Sequence, residues 1–210
     1  NTEDKMKRLT FKIFGLMLFA FLLAACNPDS NVVSPENGLL SKESTNIIVP
    51  DGGGYAITQD EIVGLIYMRI EEKLARDVYT VMGTTWNAKV FLNIKVSEQA
   101  HMDAVKRMLD KFNITDPLLT DEVGVFPDPD FQALYDELII QGNISLNEAL
   151  LVGVGIEEID IADLEDQLAN VVTNPGIINL YTNLKNASTN HLAAFNKNII
   201  GCTTESPAIE

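Results

Sequence analysis

The chain has 210 residues, and its 15 basic residues against 30 acidic ones leave a formal net charge of −15 at neutral pH. So acidic a surface repels nucleic acid and anionic lipid headgroups, which excludes electrostatic binding to either. With 46% hydrophobic residues and only 2 cysteines, the composition suits one domain with a substantial core and excludes a disulfide framework.

Residues 1–25 read as a targeting segment outside the fold. Lys5, Lys7, Arg8 and Lys12 make a basic start, and Phe11 to Ala25 is mostly apolar but short for a membrane span. A basic cluster normally follows the initiator directly, so Met6 is a candidate start. The segment closes with Leu23-Ala24-Ala25-Cys26, which resembles the lipobox of bacterial lipoproteins. That resemblance implies that Cys26 is lipidated and becomes the mature N-terminus; the rival reading is an ordinary secretory signal with a chance cysteine. On the lipobox reading, four basic and two acidic residues leave with the signal, so 11 basic face 28 acidic residues at a net charge of −17. The protein is then expected in the cell envelope, on the outer membrane or the periplasmic face, attached to the membrane through Cys26. Asn27 argues weakly against inner-membrane retention. Cys202 is left without a partner in the chain. Residues 26–54, with Pro28, Pro35, Pro50 and the Gly52-Gly53-Gly54 run, read as a flexible tether.

From residue 55 to 200 the pattern is helical. Thr58 with Glu61 makes a capping box that opens a helix running to about Met82, with Gly83 as its stop. A second helix spans Trp86 to Phe112, ending before Asp116-Pro117. After a long loop, Asp128 caps a short helix from Pro129 to Gly142 with Phe131, Leu134, Tyr135 and Leu138 on one side. Ser145 with Glu148, a further capping box, opens a third long helix to about Ala169. Asn174-Pro175 opens the fourth, to about Ile199; residues 201–210 are a C-terminal tail. Strand signals are nearly absent. The fold class is therefore all-α, and a four-helix bundle with one additional short helix between helices 2 and 3 buries these faces most simply.

Each long helix carries a polar exception on its apolar seam. The first reads Leu65, Met68, Glu72, Ala75, Tyr79, although Tyr67, Glu71, Leu74, Val78 is also a seam. The second reads Phe91, Ile94, Glu98, His101, Val105, Met108, Phe112. The third is Leu150, Val154, Glu157, Ile161, Leu164, Leu168, with Glu158 the rival if the helix phase is off by one. The fourth is Ile177, Tyr181, Leu184, Ser188, His191, Phe195. An unpaired buried carboxylate costs several kcal/mol or neutralises, and a shared cation offsets that cost. Carboxylates with two imidazoles suit two first-row ions, iron best, with manganese or zinc as alternatives.

Glu98-Gln99-Ala100-His101 matches the Glu-x-x-His pairing of ferritin-like di-iron proteins. The segment Glu72 to Tyr79 resembles the first helix of rubrerythrins, where a ligand glutamate precedes Arg and Tyr at similar spacing. Across Tyr55 to Phe195 the chain is similar to a prokaryotic ferritin-like family, domain of unknown function 2202, through Tyr67 to Tyr79, Ser97 to Val105, Leu134 to Leu138, Ile156 to Leu164 and Asn190 to Phe195. The resemblance implies a ferritin-like up-and-down four-helix bundle with a di-metal centre. Its ligands would be Glu72, Glu98, His101, Glu157 and His191, with Glu71, Glu158 and Asp160 as additional candidates. Tyr79, otherwise a core aromatic, and Ser188 would stand next to those ligands. The usual fourth helix of ferritin-like di-iron proteins has a glutamate three residues before its histidine; here Ser188 stands in that place, and Glu158 or Asp160 could supply the missing carboxylate.

The function expected is a di-iron oxidoreductase acting on dioxygen, peroxide or Fe(II). No Cys-x-x-Cys pair is present for a rubredoxin-like module, so an external reductant is required. The competing reading is a lipid-anchored helical binding or structural module whose metal site is degenerate, zinc-bound or empty. An iron-storage shell ranks third, and a homodimer is an assembly left open. Gly52-Gly53-Gly54 lacks the Lys-Ser/Thr of a phosphate loop, no serine sits in a nucleophile elbow, and the acidic 121–130 loop lacks the calcium pattern.

Overall fold

The computed structural model describes residues 46–47 and 56–199. The targeting segment, Cys26, the tether apart from 46–47, Cys202 and the tail all lie outside the described residues. In chain order the elements are β1 (Asn46–Ile47), β2 (Ile57–Thr58), α1 (Gln59–Trp86), α2 (Lys89–Lys111), α3 (Pro129–Gly142), α4 (Leu146–Asn170) and α5 (Pro175–Asn198). β1 and β2 pair antiparallel, Asn46 opposite Thr58. This two-residue pairing has no signature in a stretch rich in Asn, Ser and Pro.

Four of the five helix starts follow side-chain caps; α2 opens after Ala88 with none, so it begins at Lys89, and Trp86, read as its start, belongs to α1. The Glu61 amide donates to Thr58 Oγ1 at 3.1 Å, and the Thr58 amide donates to Glu61 Oε2 at 2.7 Å. Ser145 makes only half of its box: it caps the Glu148 amide, while the Glu148 carboxylate accepts from Gln141. At the end of α1 the expectation fails. Gly83 does not stop the helix, because its missing Cβ makes room for α2: a methyl there would meet Leu92 Cδ2 at 2.7 Å. The helix runs on to Trp86, and Asn87, at φ 49°, takes the left-handed position instead.

α1 packs most extensively on α2, and α4 on α5; α2 meets α5 and α1 meets α4 to close a square. Tyr67 reaches Asp163 while Tyr79, further along α1, reaches Gly153, so α1 and α4 are antiparallel. α2 and α5 are antiparallel too, with Phe91 on Phe195. Every neighbouring pair therefore runs in opposite directions, and the crossover through α3 lets the diagonal partners α2 and α4 run alike.

The crossover is tied to α1 by buried charge. Lys73 pairs with Asp77 and donates to the Glu122 carbonyl; Arg76 pairs with Asp77 and with Asp121 at 2.6 Å. Arg76 and its chain neighbour Asp77 thus pair inside a larger network. Two apolar clusters fill the bundle. One gathers Tyr79, Phe91, Phe131, Ile156 and Phe195, the other Leu65, Val105, Leu164, Tyr181 and Leu184. Between them lies a polar layer. Among the described residues no helix is long and apolar enough to cross a membrane.

Candidate metal centre

The polar layer is where the four seams cross mid-bundle. Glu72, Glu98 and Glu157 are each 2% exposed, and His101 and His191 are buried beside them. The sequence-predicted ligands therefore meet at one place. Glu98 is the hub: its Oε2 lies 2.8 Å from His101 Nδ1, and its Oε1 lies 2.8 Å from His191 Nδ1. Glu72 Oε2 stands 3.2 Å from His101 Nδ1, and Glu157 Oε2 stands 3.5 Å from His191 Nδ1. Two triads result, Glu72–Glu98–His101 and Glu98–Glu157–His191, each with donor atoms within 4.8 Å of one another.

The His101 Nδ1–Glu72 Oε2 contact is a hydrogen bond, but the Glu98–His191 approach is not. Glu98 Oε1 and His191 Nδ1, although 2.8 Å apart, have no hydrogen-bond partner, and Glu72 Oε1 and Asp160 Oδ1 are buried without one. Donor atoms crowded together without hydrogen bonds between them are ones that a shared cation would satisfy. Separations near 3 Å are what ligands bonded at about 2.0–2.2 Å to one ion show along the edge of its coordination shell. The donors present therefore fit a pair of cations that share Glu98.

The remaining candidates sort by helix phase. Glu158 is exposed, because one residue turns the helix about 100° away from the Glu157 face. Asp160, one turn on from Glu157, is buried and lines a small cavity with room for one water-sized sphere, together with Glu71, Glu72, Ala75, Glu98, Ile156 and Glu157. On α1 both Glu71 and Glu72 are buried, so the two competing seams are both interior. Glu72 faces His101, while Glu71 lies toward Asp160 and Asp163. Ser188 donates to the Leu184 carbonyl at 3.0 Å, and Asp160 reaches Ser188 from α4. On α4 the expected seam is rotated: Val154, Ile161 and Leu168 are half-buried, and Gly153, Asp160 and Gln167 take their places inside. Gly153 admits the Phe195 ring on this face, since a Cβ there would meet it at 2.7 Å.

Burial and mutual repulsion set the protonation of the layer. Burial pushes Glu72 and Glu157 up to about 7, with the Glu98 charge adding to it against the opposing histidine contacts. Burial also drives Glu71 and Asp160 well above the carboxylate range, helped by neighbouring carboxylates. Glu98 goes the other way: burial would raise it, but the close contact and charge of both histidines hold it at about 2. Burial disfavours the imidazolium forms, yet the carboxylates around them lift His101 to about 11 and His191 to about 10. Functional sites and buried ion-pair networks alike push neighbouring groups apart in this way.

Around the layer, Tyr79 donates to Glu157 Oε1 at 2.7 Å and packs against Phe91 and Phe195. One residue was missed by sequence reasoning. Ser97 Oγ lies 3.0 Å from His191 Nε2 and 3.4 Å from His101 Nε2. Its signal was its place one turn before His101.

Fold and site together define a four-helix bundle with a buried carboxylate–histidine cluster that could hold metal ions. Residues 61–205 match the family model described as an uncharacterized protein domain, DUF2202, and the chain belongs to that family. It is 50% identical over 139 residues to the uncharacterized protein MJ0754 of Methanocaldococcus jannaschii, across 66% of this chain and 75% of that one. The crystal structure of the hypothetical protein MJ0754, from Methanococcus jannaschii, matches at a TM-score of 0.67 and 48% identity, covering 68% of this chain and 81% of that one.

Proposed function

We propose that this protein is a ferritin-like di-metal oxidoreductase, with two iron ions held by Glu72, Glu98, His101, Glu157 and His191 and with dioxygen, peroxide or Fe(II) as substrate. Manganese and zinc suit the same donors. The observation that carries this reading is Glu98, which presents one oxygen to each histidine while its Oε1 and four further buried polar atoms of the layer, on Glu71, Glu72, Asp160 and His191, lack partners. Glu72, Glu98, Glu157 and Asp160, when ionised, would balance the charge of two divalent ions.

Bound there, a pair of iron ions would supply two electrons to a small oxidant. The chain's own residues do the rest. Glu98 spans both positions, and Tyr79 fixes one oxygen of Glu157. The Tyr79, Phe91 and Phe195 rings shut one end against water. Room for one water-sized sphere beside five carboxylates favours a diatomic oxidant over an organic substrate. An external reductant and a lipid anchor at Cys26, placing the bundle on the cell envelope, complete the proposal.

Anaerobic Fe(II) titration of metal-free protein, followed by air, tests it. About two irons per chain and a new near-ultraviolet charge-transfer band are expected, both lost in Glu98→Ala and His101→Ala. Uptake that is absent in the parent, or unchanged in those variants, removes the reading. Ser188 favours the second reading, a non-redox module holding zinc or nothing, because its hydroxyl is engaged with Leu184 and offers no carboxylate. Zinc uptake without oxidation chemistry would select that reading.

A further inference from the structure

We propose that Ser97 is a positioning residue that locks both imidazoles of the site in the form able to ligate metal, a role that rests on the metal-centre reading above. One hydroxyl oxygen lies within 3.4 Å of the outward nitrogens of two histidines from different helices, at 3.0 Å from His191 Nε2 and 3.4 Å from His101 Nε2. The two rings lie close to parallel, with centroids 5.6 Å apart and planes 24° apart. Both Nδ1 atoms face the carboxylates.

A neutral imidazole carries one proton, and ligation through Nδ1 requires that proton to sit on Nε2. An acceptor beside Nε2 stabilises that tautomer and fixes the ring plane. A serine oxygen has two lone pairs, so Ser97 can accept from both Nε2–H groups at once. Ser97 is half-buried, so its own proton is left for solvent. The position follows from sequence spacing: Ser97 precedes His101 by four residues on α2, which puts it over the same face, and α5 brings His191 up against it.

The arrangement has a consequence that a helix–helix hydrogen bond alone would lack. Each triad contains one histidine, and both histidines lean on the same oxygen. Loss of Ser97 should therefore weaken both ions together, whereas a residue serving one ligand would weaken one.

Co(II) titrations of the full chain freed of metal, read by calorimetry and by the visible d–d bands, test this in Ser97→Ala and Ser97→Thr. Alanine keeps the helix, so metal-free Ser97→Ala should match the parent in far-ultraviolet dichroism. It should bind both Co(II) ions about 10–100-fold more weakly, with altered bands. Ser97→Thr, which retains the hydroxyl, should recover most of the affinity. In the Zn(II)-loaded parent, two slowly exchanging Nε2–H resonances should appear by NMR and become fast-exchanging in Ser97→Ala. The proposal is overturned if Ser97→Ala binds both ions as the parent does, or if its loss is confined to one ion. A parent that binds no Co(II) overturns the metal reading itself, and this role with it.

Discussion

Glu98 and the two histidines form the centre of the layer, and their protonation is the property most open to measurement. His101 and His191 are held at about 11 and about 10, so both are imidazolium at pH 7 until a cation takes their Nδ1 atoms. Metal binding must expel those protons. Calorimetric titration of Zn(II) in buffers of different ionisation enthalpy should therefore report more than two protons released per chain at pH 7, two from the imidazoles and the rest from Glu72 and Glu157, which are held up to about 7. Because raised pKa values mean that protons compete with metal throughout the neutral range, apparent affinity should rise as pH rises toward 10. Release of no protons would mean that the imidazoles are not ligands. Glu98, His101 and His191 were legible as inward residues because charge on an apolar stripe demands a partner. That Glu98 serves both triads was not legible, since nothing in the 98–101 spacing says where α5 delivers His191.

At the scale of elements, short local signals set the helix starts, and close contacts decided the rest. Thr58, Asp128, Ser145 and Asn174 all cap where their side chains allow. Gly83 was misleading because glycine signals both a helix stop and a close approach, and only the presence of Leu92 distinguishes the two. Glu61 shows an element-scale role beyond its cap: its Oε1 accepts from the Thr173 and Asn174 amides at 2.6 and 2.7 Å, fastening the start of α1 to the α4–α5 turn. Burial alone would raise its pKa, but those backbone hydrogen bonds and the one from Thr58 lower it below 4.5. A depressed carboxylate stabilises the fold above its ordinary pKa and loses that contribution as pH falls through the lowered value. Glu61→Gln should therefore cost about 1.5–3 kcal/mol in urea unfolding at pH 7, with the gap to the parent closing below pH 4.5. A gap that stays constant through acid pH would show that the charge does not matter.

The whole molecule is held in register by the crossover. α2 and α4 run the same way, so about thirty residues must travel the length of the bundle, and they are pinned where Asp121 and Glu122 meet Lys73, Arg76 and Asp77. Lys73 and Asp77 are fully buried, and Asp77 also accepts from the Gly124 amide at 3.0 Å. Asp77→Ala would strand a buried ammonium. Removing one partner of such a pair costs about 3–5 kcal/mol. Chemical denaturation should show that loss, and hydrogen exchange should show faster opening across 116–126. An unchanged midpoint would mean that the network is peripheral.

The sequence by itself determined the all-α class, the four capped helix starts and the inward charge of Glu98, His101 and His191, because the 3.6-residue period and the capping chemistry are local; the choice of Glu72 over Glu71 and Glu157 over Glu158 came from the family resemblance. Only the tertiary structure decided the phase of α4, which exchanges Glu158 for Asp160 as the inward carboxylate once Gly153 admits Phe195. It also decided the sharing of Glu98 between two histidines and the place of Ser97 over both. Those features depend on how far separate helices rotate about their own axes, and close packing against other helices fixes that angle.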